Sequence, residues 1–99
     1  MRYSVNARAP REALLMADEI YFGHADTGAM IDYIEKYPDK TFIYEMQDIS
    51  ELNIDNLKMY NEKLEGRFYV AVPYYWTEFE LLKDNEIKFY FFNQLTTFD

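Results

Sequence analysis

Residues 67–93 read RFYVAVPYYWTEFELLKDNEIKFYFFN, and the fold turns on this stretch. It opens on an apolar run, Phe68–Val72, and closes on another, residues 88–92. Both are rich in β-branched and aromatic residues, which suit a pleated surface. The first is apolar at consecutive positions, the pattern of a strand without a solvent face in a sheet covered on both sides. Between the runs, Thr77 and Glu80 have capping-box spacing. Phe79 and Leu82, with Leu81 beside them, then give a short helix its apolar stripe. Strand, helix and strand at this length form the crossover that joins parallel strands.

The same unit recurs towards the N-terminus. Residues 3–7 alternate as a short strand, and Pro10 precedes a helix former at residues 13–17, a residue type well tolerated in a first turn. Residues 19–23 (EIYFG) read as a second strand ended by Gly23. Asp26 or Thr27 can cap the next helix, whose stripe is Met30, Ile31, Ile34 and Tyr37, and Pro38 stops it. Residues 41–46 (TFIYEM) are a third strand, followed by a polar loop over residues 47–51. Asn53 is the N-cap expected for a longer helix carrying Ile54, Leu57, Tyr60, Asn61 and Leu64 on one face. Gly66 falls where a helix end needs positive φ.

The order is therefore β-α four times, then β, with a final N-cap at Thr96 or Thr97 whose helix does not follow. The fold class is α/β, built of repeated βα units on a parallel sheet. Half of a (β/α) barrel is preferred over an open doubly wound sheet. No Gly-rich phosphate loop follows the first strand, and the pattern stops after the fifth. Residues 1–99 then make one α/β domain, the N-terminal part of a longer barrel.

Composition narrows the function classes. The formal net charge is −8 and no Lys/Arg cluster is visible, which argues against a nucleic-acid or anionic-lipid partner. Cysteine is absent, so disulfides, thiolate nucleophiles and Cys metal sites are excluded. There is no apolar leader segment, and no apolar run nears the roughly 20 residues of a membrane span. A soluble cytoplasmic protein is the expectation.

Asp26-Thr27-Gly28 spells the aspartic-protease triplet, but the paired-Asp chemistry also needs a strand leading into the Asp and a Gly-rich flap. A strand end followed by a helix cap accounts for the same letters. His24 is the lone histidine. With Glu45 and Asp48 it is the one conceivable metal set, and no metal site is assigned; no particular cofactor is indicated. In a (βα) barrel, ligands bind at the C-terminal strand ends. The residues expected there are Asn6, Arg8, Gln47, Tyr74, Tyr75, Asn93 and Gln94 as ligand contacts for a small molecule or peptide. Glu45 is the candidate acid/base carboxylate, His24 a candidate base, and Arg8 an anion-binding cation. Glu45 equally suits the solvent face of an alternating strand, opposite Phe42, Tyr44 and Met46. The cluster Pro73-Tyr74-Tyr75-Trp76 equally suits packing, and the carboxylates of Glu62, Glu65, Glu78, Glu80, Asp84 and Glu86 suit solvated helix faces.

The segment ADEIYFG, residues 17–23, is similar to the early strand of the bacterial collagenase-like peptidase family. The resemblance covers one strand and the βα order. It implies a (β/α) barrel and peptidase-like or hydrolase-like activity, although some members are linked to RNA hydroxylation instead. It carries over no catalytic residue. The alternative reading is a non-catalytic αβ interaction or assembly module, whose aromatic excess would serve an interface. On either reading residues 88–92 form an unblocked apolar edge strand. The chain is then expected to be a homo-oligomer or to be completed by further sequence.

Overall fold

The computed structural model describes residues 2–5, 11–23, 27–46 and 48–91. Five strands, β1 (Arg2–Val5), β2 (Glu19–Phe22), β3 (Thr41–Glu45), β4 (Phe68–Val72) and β5 (Lys88–Phe91), alternate with four helices, α1 (Arg11–Met16), α2 (Thr27–Lys36), α3 (Ile54–Lys63) and α4 (Phe79–Asp84). The strands form one sheet in chain order, and every neighbouring pair is parallel. The expected α/β class and parallel sheet are what the chain forms.

Register places like residues in rows. Val5, Phe22, Tyr44, Val70 and Phe89 lie directly opposite one another across all five strands, and Tyr3, Ile20, Phe42 and Phe68 form the row beside them. Because side chains alternate along a strand, both rows point to one face. There they join Leu14 of α1, Met30 and Ile34 of α2, Leu57 and Tyr60 of α3, and Leu82 of α4 in a single core. Ile20, Phe42, Phe68, Val70 and Val72 are fully excluded from solvent. All four helices thus cover the same face. The molecule's thinnest dimension, 20 Å, is that of one sheet and one helical layer, each about 10 Å deep.

The opposite face carries other chemistry. Its rows run Arg2 to Glu19, then Ser4, Tyr21, Ile43, Tyr69 and Lys88, then Glu45, Ala71 and Tyr90. Arg2 of β1 and Tyr90 of β5 border one cavity there, with Glu19, Ile43 and Tyr69 between them. In a flat sheet four inter-strand steps would separate β1 from β5 by roughly 19 Å. For the side chains of the two outermost strands to share a cavity, the sheet must curl towards this face.

At the N-terminal strand ends a single device recurs. Lys40 Nζ donates to the Ala17 carbonyl, Arg67 to the Pro38 carbonyl and Lys88 Nζ to the Gly66 carbonyl. Each cation stands at or just before one strand and reaches back to the turn that enters the preceding strand. These turns follow helix C-termini, where carbonyls lack intrahelical partners and the helix dipole is negative. Gly66 itself has φ of +85°, as its place after α3 requires. A Cβ there would meet Lys88 Nζ only at 3.9 Å, so the backbone conformation, not space, selects glycine.

Several local expectations need correction. Thr77 and Glu80 do not form a capping box. α4 begins at Phe79 with Glu78 as N-cap, and no side-chain cap bond is made. Glu80 therefore falls at the second helical position instead of the third, where its carboxylate cannot reciprocate the cap. Leu81 is 45% exposed and leaves the stripe to Phe79 and Leu82. The polar loop over residues 47–51 contains a 3₁₀ turn, Ile49–Glu51, closed by a capping box between Asp48 and Glu51. Among the described residues helices cover one face of the sheet, not the two that the run Phe68–Val72 suggests; β4 is nonetheless buried except at Tyr69, whose half-buried ring lies 5.3 Å from Lys88 Nζ. Glu78 is half-buried, whereas the other helix carboxylates named above are exposed. β5 pairs only with β4 among the described residues, but Phe89 and Phe91 pack on Phe79 with ring centres 5.5 Å apart. No helix among the described residues is long and apolar enough to cross a membrane.

Phe42 lies at the centre of the core, so F42A should destabilise the fold by about 3–5 kcal/mol in denaturant unfolding. G66A should cost about 1 kcal/mol through the backbone alone. Equal effects of the two substitutions would contradict this division between packing and conformation.

Candidate functional site

Besides a cavity bordered by Tyr3, Asp32, Tyr33, Lys36 and Tyr37, two places among the described residues bring polar groups together. The first is the curled face of the sheet. Arg2 Nε lies 3.3 Å from Glu19 Oε1, and its guanidinium carbon sits 5.0 Å from the centre of the Tyr21 ring. Glu45 and Tyr90 flank Ala71 in one row. The cavity bordered by Arg2, Glu19, Ile43, Tyr69 and Tyr90 has a volume of about 300 Å³. Burial, above all, pushes the Tyr90 hydroxyl above its ordinary range. The charge and hydrogen bonding of Arg2 act against that rise, while Glu19 and Glu45 add to it. At neutral pH this face therefore offers a neutral phenol donor beside the side chains of Arg2, Glu19 and Glu45.

The second place lies at the C-terminal end of β3, on the helical side. Asp48 accepts from Ser50 N at 3.0 Å, and Asp48 N donates to Glu51 Oε1 at 3.3 Å. The Ser50 backbone N–H, then its hydroxyl, hold the Asp48 carboxyl below its usual range. Asn53 caps α3 by accepting from Asn56 N at 3.1 Å. These two caps shape a cavity of about 250 Å³ lined by Tyr44, Ser50, Glu51, Asn53, Asn56, Leu57 and Tyr60. Glu51 Oε2 is buried and has no hydrogen-bond partner among the described residues. The Tyr44 hydroxyl is pushed up to about 12, first by burial and then by the neighbouring Glu51 and Tyr60.

Of the residues expected at the strand ends, Glu45, Tyr74 and Tyr75 are described. Glu45 is half-buried at the end of β3, on the face opposite Tyr44, as its alternation requires. Tyr74 and Tyr75 follow β4 and are 59% and 63% exposed. Their rings meet edge to face at 5.8 Å, and neither borders the two cavities above. Trp76, beside them, is buried. His24, Asn6, Arg8, Gln47, Asn93 and Gln94 lie outside the described residues, as does Asp26. Among the described residues no group of three or more His, Cys, Asp or Glu side chains could hold a metal ion.

Sequence reading missed Arg2, Glu19, Tyr69 and Tyr90 on the sheet, and Glu51 beyond it. A signal existed for Arg2, Glu19, Tyr90 and Glu51. Arg2, Glu19 and Tyr90 occupy the alternate positions to Tyr3, Ile20 and Phe89, so strand parity assigns them to the other face. Asp48 and Glu51 have the spacing of a capping box.

No protein-family model, curated protein or solved structure matches this chain.

The raised tyrosines set an alkaline limit. A phenol whose folded pKa exceeds its unfolded value contributes stability that is complete below the unfolded pKa and is lost as pH rises through the folded one. For Tyr44 this window runs from the ordinary 10.0 to about 12. Stability should thus fall across that interval, and phenolate absorbance should show a late-titrating tyrosine that disappears in Y44F. A chain whose tyrosines all titrate near the ordinary value, with no alkaline loss of stability, would contradict the burial of Tyr44 beside Glu51.

Proposed function

We propose that this chain is half of a (β/α)-barrel enzyme of hydrolase or peptidase type, with its site on the curled sheet face, between Arg2 and Glu19 at the start of β1 and β2 and Glu45 at the end of β3. The observation that carries the reading is the cavity shared by Arg2 of β1 and Tyr90 of β5. In an eight-stranded barrel, strands one and five stand diametrically opposed, across an interior just wide enough for side chains to fill. The strand order supports the same reading, since it lacks the reversal at which doubly wound sheets bind ligands. Residues 17–23, which resemble the collagenase-like peptidase strand, include β2 with Glu19 and Tyr21 on this face.

In this reading Glu45 takes a proton from an attacking water as the water oxygen bonds to an acyl carbon and the carbonyl π bond opens. The carbonyl then re-forms as the bond to the leaving oxygen or nitrogen breaks, and Glu45 returns the proton to that leaving group. Arg2 and the neutral Tyr90 hydroxyl donate to the oxygen on which charge develops. A second reading, an assembly module without catalysis, is favoured by the exposed apolar side chains of α1. Leu15 and Met16 are each 71% exposed and suit contact with another element.

Turnover of an ester and peptide panel by the purified protein tests the first reading. E45Q should lower any hydrolysis by about 10²–10⁴-fold, the usual contribution of a positioned acid or base, with unchanged melting. Hydrolysis retained in E45Q would refute the assignment of Glu45. A wild-type protein that hydrolyses nothing yet sediments as an oligomer would favour the assembly module.

A further inference from the structure

The outer edges of β1 and β5 have no partner strand among the described residues. Hydrogen bonds inside the sheet fix which backbone groups these edges present. In a parallel ladder the N–H and C=O of one residue serve one neighbour, and those of the next residue serve the other. Thr41 N donates to the Asp18 carbonyl, and Phe42 N and Met46 N donate to the Arg67 and Ala71 carbonyls. Carried through the register, this alternation turns the backbone groups of Phe89 and Phe91 away from β4, and those of Arg2 and Ser4 away from β2. Such rows are templates for pairing with another strand.

The two rows fit each other. All five strands run in one direction, so β1 of a second copy laid beside β5 continues the parallel order. Directly paired residues share a face, which puts Tyr3 of the second copy beside Phe89 or Phe91. Beside Phe89, Arg2 would stand directly opposite Lys88, a destabilising like-charge pair. Beside Phe91, Arg2 stands next to Tyr90 instead and keeps its own Glu19 and Tyr21 on its other side. Phe91 N then donates to the Arg2 carbonyl, and Ser4 N donates to the Phe91 carbonyl. A cation next to the tyrosine it pairs with is already used within the chain, where Lys88 Nζ lies 5.3 Å from the centre of the Tyr69 ring.

Head-to-tail contacts close into a ring when the rotation between copies allows it and otherwise run on as filaments. The curl of the sheet supplies the rotation. Two copies of five strands make a ring of ten. With strands roughly 4.8 Å apart, the first and fifth strands of each copy stand roughly 15 Å from each other in that ring. Arginine and tyrosine side chains reach towards each other across such a gap, as Arg2 and Tyr90 do in bordering one cavity.

We infer that two copies of this chain close one ten-stranded parallel barrel, with β5 of each paired to β1 of the other in the register that sets Tyr3 beside Phe91. The inference rests on the half-barrel reading above and names the other half, a second copy. The two curled faces then enclose one interior, and Arg2 of each copy lies beside Tyr90 of the other.

Sedimentation of the full chain at micromolar concentration should give twice the chain mass. Isotope-filtered nuclear Overhauser spectra of mixed labelled and unlabelled chain should show Tyr3 of one copy against Phe91 of the other, a contact the two edges of one chain cannot make. The same filter separates Arg2–Tyr90 contacts within a chain from those between copies. S4P removes a donor that serves no strand of its own chain, at an edge position where proline is tolerated. It should stay folded and weaken the dimer at least about tenfold, the loss expected when a hydrogen bond is deleted and its acceptor left unpaired. If S4P does not fold, the isotope-filtered contact in the wild-type chain decides. A monomer that keeps Arg2–Tyr90 contacts within the chain would overturn the second copy as the other half and leave the half-barrel reading standing. A monomer without those contacts would overturn both. An open filament, or a dimer undiminished by a folded S4P, would overturn the pairing.

Discussion

Each strand of this sheet lies beside the strand that precedes it in the chain, and all connecting helices pack on one side. The rest of the structure follows from that constraint. A parallel strand needs a crossover to reach its neighbour, and crossovers of one hand that step in one direction must all use the same face. That face then receives the large apolar residues, in rows that stay in register from Val5 to Phe89. The other face is released from packing against helices and can carry Arg2, Glu19, Glu45 and Tyr90. Because parallel sheets are usually covered on both faces, an apolar second face would be a hazard in water. The ionisable residues here are compatible with an open concavity.

The two ends of the strands divide the remaining work. At the N-terminal ends, Lys40, Arg67 and Lys88 tie each unit to the turn before it. The cations of an otherwise acidic chain thus meet carbonyls at the negative ends of helix dipoles. At the C-terminal end of β3, the chain spends its polar side chains on caps that shape a cavity instead of filling it. Asp48 and Asn53 hold their turns in place, and Glu51 keeps one buried oxygen without a partner among the described residues.

The βα alternation was legible because the periods of apolar residues change cleanly from strand to helix. Phe68–Val72, Asn53 as a cap and Gly66 at positive φ were all readable from residue type and position. The start of α4 was not. Thr77 and Glu80 match a cap by spacing, yet tertiary packing of Phe79 on Phe89 and Phe91 sets the helix start one residue later. The site was less legible for a different reason. Reading β5 as a continuous apolar run concealed the fact that Tyr90 faces away from Phe89 and Phe91. Nothing in a linear sequence states that Arg2 and Tyr90, on the two outermost strands, face one cavity. That depends on curvature, which is a property of the whole sheet. The basic residues before the strands also escaped notice, since their repeat lies in position relative to each turn and not in neighbouring letters.

The open face depends on the curvature of the sheet, which makes the Arg2–Tyr90 cavity. Nuclear Overhauser contacts between the Arg2 side chain and the Tyr90 ring report it directly, in the free chain and without substitution. A curled sheet gives such contacts, with others from Tyr90 to Glu19 across the same cavity. A well-folded sheet in which β1–β2 and β4–β5 contacts are intact but Arg2 and Tyr90 never meet would be flat, and would contradict it.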